Sequence, residues 1–176
     1  MTSEVNLIFS ILLIVIPAYG ANGMALIFGG GKPLDKGRNF IDGKRILGDG
    51  KTVRGTLSGL LFGWLFSIPL IVGFETLLES SIPLFYGYLS IGFSSAIGAI
   101  IGDLLGSFIK RRLNLPSGFP APLIDQFDFI LMAMLLAYLA NQFFRVITFD
   151  LTLTVIVLVV TPFAPVSYTH LRAHET

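Results

Sequence analysis

Five apolar runs decide what this 176-residue chain can become. They extend roughly from Val5 to Phe28, Leu57 to Phe74, Leu84 to Ile109, Phe127 to Phe144 and Leu151 to Val166. Each approaches the ~20 residues a helix needs to cross a hydrocarbon core, the fourth and fifth being short. Only 13% of residues are charged and 53% are hydrophobic. A soluble domain carries roughly a quarter charged residues, so that class is excluded. The expectation is an all-α polytopic membrane protein with about five transmembrane helices. One transmembrane domain would cover 1–166, with functional loops at about 29–56 and 110–125.

The first run has no basic leader and no small-residue cleavage site, and is read as a retained helix. The last ten residues lose all apolar character and are read as a foreign appendage or truncation scar. His170 and His174 are therefore set aside. Cysteine is absent, so no disulfide or thiolate chemistry is available.

Basic residues orient the chain. Of twelve Lys and Arg, seven lie from Lys32 to Arg54 and three at Lys110, Arg111 and Arg112. The positive-inside rule places both loops in the cytoplasm, the N-terminus outside and the end of the fifth run inside. An integral protein of the cell membrane with its functional groups facing the cytoplasm is expected.

Small residues repeat every four positions in two runs: Gly55, Gly59, Gly63, and Ser94, Gly98, Gly102, Gly106. Such stripes let helix backbones approach closely. They place Asp103 near the edge of a packed seam, about 100° round the helix from Gly102.

Asp103, Ser107, Lys110 and Arg111 fall on one helical stripe, cations nearest the end. A carboxylate at that depth costs on the order of 2.5–3.5 kcal/mol and needs a cation, a metal or water. The bland reading is an ion pair of Asp103 with Lys110 or Arg111. Asp125 and Asp128 share a face at the start of the fourth run. Asp125 alone would be a routine helix cap, whereas Asp128 already lies within the apolar run. Three carboxylates flanking a basic loop suit Mg²⁺, and with it phosphoryl or nucleotidyl transfer. The glycine-rich basic loop from Gly29 to Thr56 offers N–H groups and cations to an anion, but it is not a Walker A element. A bland positive-inside loop would look basic too.

Gly102-Asp103-Leu104-Leu105-Gly106-Ser107-Phe108-Ile109-Lys110-Arg111, then Pro120 and Asp125-Gln126-Phe127-Asp128, resembles the signature of the phosphatidate cytidylyltransferases. That pattern runs G-D-x-x-x-S-x-x-K-R, a Pro/Gly loop, then D-R-x-D. Lys51-Thr52-Val53-Arg54-Gly55 is similar to the family's upstream K-T-x-E-G element. Gln126 replaces the usual Arg and Arg54 the usual Glu. With the elements Ala21-Asn22-Gly23 and Phe28-Gly29-Gly30-Gly31, these departures look like the archaeal branch, the CDP-archaeol synthases.

The resemblance implies that CTP and an isoprenoid ether-lipid phosphate, 2,3-bis-O-geranylgeranylglycerol 1-phosphate, yield CDP-archaeol and pyrophosphate with Mg²⁺. It implies that Asp103, Asp125 and Asp128 bind the metal. Lys110, a catalytic residue, and Arg111 would hold the triphosphate, with Ser107 donating to a phosphate oxygen. Lys51, Thr52, Arg54 and Gly55 would close over the nucleotide. Asn22 is either an interhelical donor or a wall of the site. Lys44 and Arg45 meet the lipid phosphate or merely anionic headgroups. Nucleic acid has no place in this reading, and oligomeric state is not specified by it.

The main rival is a transporter or channel for an anion or proton, since membrane acids serve such paths. Against it, the charged groups gather on one side and the outer half of every run is apolar. The CDP-alcohol phosphotransferases need an element that Asp42-Gly43-Lys44 only faintly echoes. A lipid-binding scaffold leaves Asp103 and Asp128 unexplained.

Overall fold

The computed structural model describes residues 2–78, 83–117, 119 and 121–161. Helix α1 spans Thr2–Ile27, α2 Val53–Leu65, α3 Ser67–Leu78, α4 Pro83–Arg112, α5 Pro122–Phe144 and α6 Leu151–Val160. Among the described residues the backbone is otherwise loop, with two isolated bridges, Pro33 to Thr52 and Asn39 to Arg45. Helices satisfy their own backbone groups, which a hydrocarbon environment demands.

Four stretches are long and apolar enough to cross a membrane: Glu4–Ile27, Val53–Thr76, Leu84–Arg112 and Ile124–Phe144. The second combines α2 and α3, which break at Phe66. Pro69 explains the break, because it has no N–H for the Leu65 carbonyl one turn earlier. The fifth expected run becomes the ten-residue α6, described only to Thr161. The proposed tail from Ser167 lies outside the described residues, as does Pro120.

Glycine stripes set the helix seams. A side chain at Gly59 or Gly63 would collide with Ala21 and with the Ala21 or Pro17 carbonyl, so α1 and α2 nearly touch backbones. Gly98 and Gly102 of α4 lie against Met132, Ala133, Asp128 and Phe129 of α5. Ser95 of α4 donates to the Ile14 carbonyl of α1 at 2.6 Å. Phe9, Phe74 and Tyr88 cluster at the far end of this core.

The apolar pattern misplaces one boundary that matters. The fourth apolar run begins at Phe127, yet α5 begins at Pro122. Proline at the first helical position is favoured because its missing N–H would be unpaired anyway. Asp125 and Asp128 therefore both lie inside the helix.

Candidate active site

The α4–α5 seam carries the acids. Gly106 lies directly beneath the Asp128 carboxylate, and Gly102 beneath the Asp128 main chain. Glycine at both positions lets Asp128 sit against α4, one residue from Asp103 on the neighbouring face. Asp128 experiences the negative charges of Asp103 and Asp125 and the positive charge of Lys51. Its only hydrogen bond among the described residues comes from the N–H of Phe129. Counting from the basic end of α4, Asp103 lies roughly 14 Å inside.

Two lysines neutralise the other acids, and neither pairing is the one helical spacing favoured. Lys51 Nζ reaches across from the long loop and donates to both oxygens of Asp103, each at 2.6 Å. Lys110 Nζ leaves α4 and meets Asp125 Oδ1 at 2.5 Å. The N-cap of α5 is Ala121 and not Asp125, although Asp125 accepts from the Ala121 N–H at 3.0 Å from inside the first turn. All four side chains keep between 13% and 39% of their surface exposed, so they stay accessible from solvent.

Arg111 is buried; it donates from Nη2 to the Pro116 carbonyl at 3.0 Å, while its Nε has no partner among the described residues. A buried guanidinium with a donor unpaired among the described residues suits an anion. Ser107 is buried beside it on α4. Thr52 is spent on architecture: its hydroxyl caps α2 by accepting from the Gly55 N–H at 3.1 Å. Gly55 is a packing glycine against the Ala25 carbonyl and Gly29. Arg54 is exposed. Asn22 is partly buried in α1 and makes no side-chain hydrogen bond among the described residues.

The loop between α1 and α2 is organised by a residue the motif reading passed over. Asp35, its side chain wholly buried, accepts from Arg45 at 2.9 and 3.3 Å and from the N–H groups of Gly37, Leu47 and Gly48. Burial pushes the carboxyl up, but Arg45 and the three N–H donors outweigh it and hold it well below its ordinary range. Arg45 also meets Asp49, so it is committed within the loop.

Arg112 joins this loop to α4. It donates to Asp42 Oδ1 at 2.9 Å and to the carbonyls of Lys44 and Arg45, over the rings of Phe40 and Phe108. Lys44 returns the contact, donating to the Arg112 carbonyl at 2.8 Å. A signal for Asp35 exists only in retrospect, in the Pro33–Gly37 turn pattern around it. Arg112 was visible merely as a third cation.

Among the described residues no three acidic side chains stand close enough to cage an ion by themselves. The donor set still fits Mg²⁺, which takes one or two carboxylates and completes its shell with water and phosphate oxygens. Asp128, flanked by two acids and lacking a direct cation partner, is the oxygen donor such an ion would find.

The described helices form an all-α bundle, four of its stretches long and apolar enough to cross a membrane, with acids and cations meeting at one end of α4 and α5. A family described as CarS-like, CDP-archaeol synthase, matches residues 4–172. The CDP-archaeol synthase of Methanocaldococcus jannaschii is 46% identical over 140 residues, 76% of this chain and 77% of that one. That of Methanococcoides burtonii is 40% identical over 155 residues, 84% and 89% of the two chains. A solved structure, described as an intramembrane enzyme for archaeal membrane lipids biosynthesis, aligns with TM-score 0.70 at 33% identity. It covers 94% of this chain and 92% of its own. The chain belongs to the CDP-archaeol synthase family. Nothing in these likenesses supports the transporter reading.

Proposed function

We propose that the chain transfers CMP from CTP to the ether-lipid phosphate 2,3-bis-O-geranylgeranylglycerol 1-phosphate, releasing pyrophosphate and leaving the CDP-lipid. The observation that carries this is the pair of lysine–carboxylate contacts, Lys51–Asp103 and Lys110–Asp125, on either side of Asp128. Each contact sets a partly exposed cation beside an acid. The names of the relatives supply the nucleotide and the lipid class.

The lipid phosphate is the nucleophile. One of its oxygens bonds to the α-phosphorus of CTP while the bond from that phosphorus to the bridging oxygen breaks, and pyrophosphate departs with the electron pair. No strong general base is needed, because a phosphate monoester is ionised near neutral pH. The barrier is the meeting of two anions. Lys110 and Arg111 are placed to hold the triphosphate, with Ser107 at hand on the same helix. Lys51 reaches in from the loop and Arg54 lies exposed at the start of α2.

Mg²⁺ would rest on Asp128 with Asp103 or Asp125. When bound it would neutralise charge on the phosphate oxygens and the departing pyrophosphate. Lys51 and Lys110, which lie beside those same acids, would then be at hand for the phosphates. By the positive-inside rule these residues face the cytoplasm and the N-terminus lies outside.

Detergent-purified protein with Mg²⁺, labelled CTP or dCTP, and an ether or ester lipid phosphate tests the reading. Pyrophosphate should appear only when nucleotide and lipid phosphate are both present. Its absence with every lipid phosphate would remove the assignment.

A further inference from the structure

The long loop reaches its tip in a tight turn. Asn39 and Arg45 form an isolated bridge, Phe40 N–H donates to the Lys44 carbonyl at 2.7 Å, and Gly43 N–H donates to the Phe40 carbonyl at 3.0 Å. Asp42 and Gly43 supply the turn chemistry; Asp42 accepts from the Lys44 N–H at 3.1 Å and Gly43 takes a φ of 77°. Nothing in that geometry asks for an isoleucine at position 41. Yet Ile41 stands there with 93% of its surface exposed, the most exposed large apolar residue described.

Where the turn is fastened says what Ile41 meets. Phe40 packs edge-on to Phe108 at 5.3 Å, and Arg112 lies over both rings. Phe108 belongs to the last turns of α4, within a stretch apolar enough to cross a membrane. On that helix Ile101, Leu105 and Ile109, spaced by four, are all exposed and form the face turned to lipid. Phe108 adjoins it. The Arg112 contacts thus hold an apolar turn tip beside the lipid-facing stripe, at the depth where a spanning helix leaves the hydrocarbon.

The cations on the same loop complete the pattern. Lys36 and Arg38 are exposed and enter no ion pair among the described residues. An apolar residue with two exposed cations three and five positions before it, while the acid that follows is paired with Arg112, is the composition of a segment lying at an anionic lipid interface. We propose that the 39–45 turn is a membrane wedge: Ile41 enters the headgroup–acyl boundary beside α4, with Lys36 and Arg38 meeting anionic headgroups. The wedge anchors the loop whose far end carries Lys51. It goes beyond the proposed reaction and does not depend on it.

The chain has no cysteine, so single-cysteine labelling is clean. Nitroxide labels on Ile41→Cys, Leu105→Cys and Arg38→Cys variants, each in nanodiscs of neutral lipid with a minority of anionic lipid, report depth. The readout is accessibility to dissolved oxygen against a water-soluble nickel chelate. The Ile41 label is expected to favour oxygen several-fold over the Arg38 label but less than the Leu105 label, which lies about 10 Å further inside α4. An Ile41 label as open to the nickel chelate as the Arg38 label would overturn the wedge. Because the readout is depth and not turnover, failure here leaves the proposed reaction untouched, and an inactive protein leaves the depth measurement valid.

Discussion

Lys51 and Asp103 are separated by 52 positions in sequence, yet the ammonium nitrogen lies 2.6 Å from both carboxylate oxygens. The contact fastens a polar loop to the interior of a spanning helix. It also explains how α4 tolerates an acid at that depth, since the cation comes from elsewhere in the chain and not from the same helical stripe. Lys110 does the same for Asp125 between α4 and α5. The charge of each of these two acids is therefore compensated only once the bundle and the loop have assembled.

Replacing Lys51 tests this division of labour. Lys51→Ala is expected to raise the CTP requirement more than the lipid requirement. Loss of one charged hydrogen-bonding group corresponds to about 1.5–3 kcal/mol, or roughly 10- to 150-fold in kcat/KM for CTP. Steady-state kinetics with each substrate varied in turn provide the measurement. An unchanged CTP dependence would take the loop out of the nucleotide site.

Asp128→Asn keeps the shape and removes the charge. Asn still presents an oxygen beside Gly106 and still satisfies the seam, so the thermal transition in detergent should hardly move. Pyrophosphate release should fall by about 10²–10³-fold or more, the scale of losing one preorganised electrostatic group. Asp125→Asn should act alike, as its amide oxygen can still accept from Ala121. Turnover near wild type in either variant would count against metal ligation there.

The sequence was legible where chemistry follows from spacing along one helix, and less so where it follows from contact between elements. The spanning runs, the glycine seams and the motif acids could all be read directly, because period and depth are properties of a single segment. The ion pairs could not. Stripe geometry joined Asp103 to Lys110 or Arg111, whereas the loop brought in Lys51 instead. Thr52 and Gly55 fit a nucleotide motif, and the structure gives each a second role the spacing does not reveal, Thr52 capping α2 and Gly55 packing it. Asp35 gave no periodic signal, since its partners Arg45, Leu47 and Gly48 come together only when the loop folds.

Substitution along the α4 seam should separate close packing from mere flexibility. A methyl group at Gly102 would meet the α5 backbone at Asp128 and Phe129, which cannot yield cheaply. Gly102→Ala is expected to cost about 1–3 kcal/mol and to displace the acids, lowering both thermal stability and turnover. At Gly23 the added carbon meets nothing within 4 Å, so Gly23→Ala should leave both unchanged. Thermal melts of the two variants in detergent, beside their pyrophosphate release, make the comparison.

Asp35 predicts how the loop responds to acid. Its carboxyl is held well below the ordinary value of 3.8 by Arg45 and three backbone N–H donors, despite its burial. The folded loop therefore binds fewer protons than the unfolded one at low pH. Its stabilisation is complete above about 3.8 and is lost progressively as pH falls below that value towards the lower folded one. A nitroxide on a Gly50→Cys variant, where the added side chain has open space, should stay immobile from neutral pH down to about 4 and loosen below. Adding Asp35→Asn removes the charge that Arg45 needs, so the label should already be mobile at neutral pH and change little on acidification. A label equally immobile in both backgrounds at neutral pH would show that the loop is held by Arg112 and Lys51 alone, with Asp35 contributing nothing to its order.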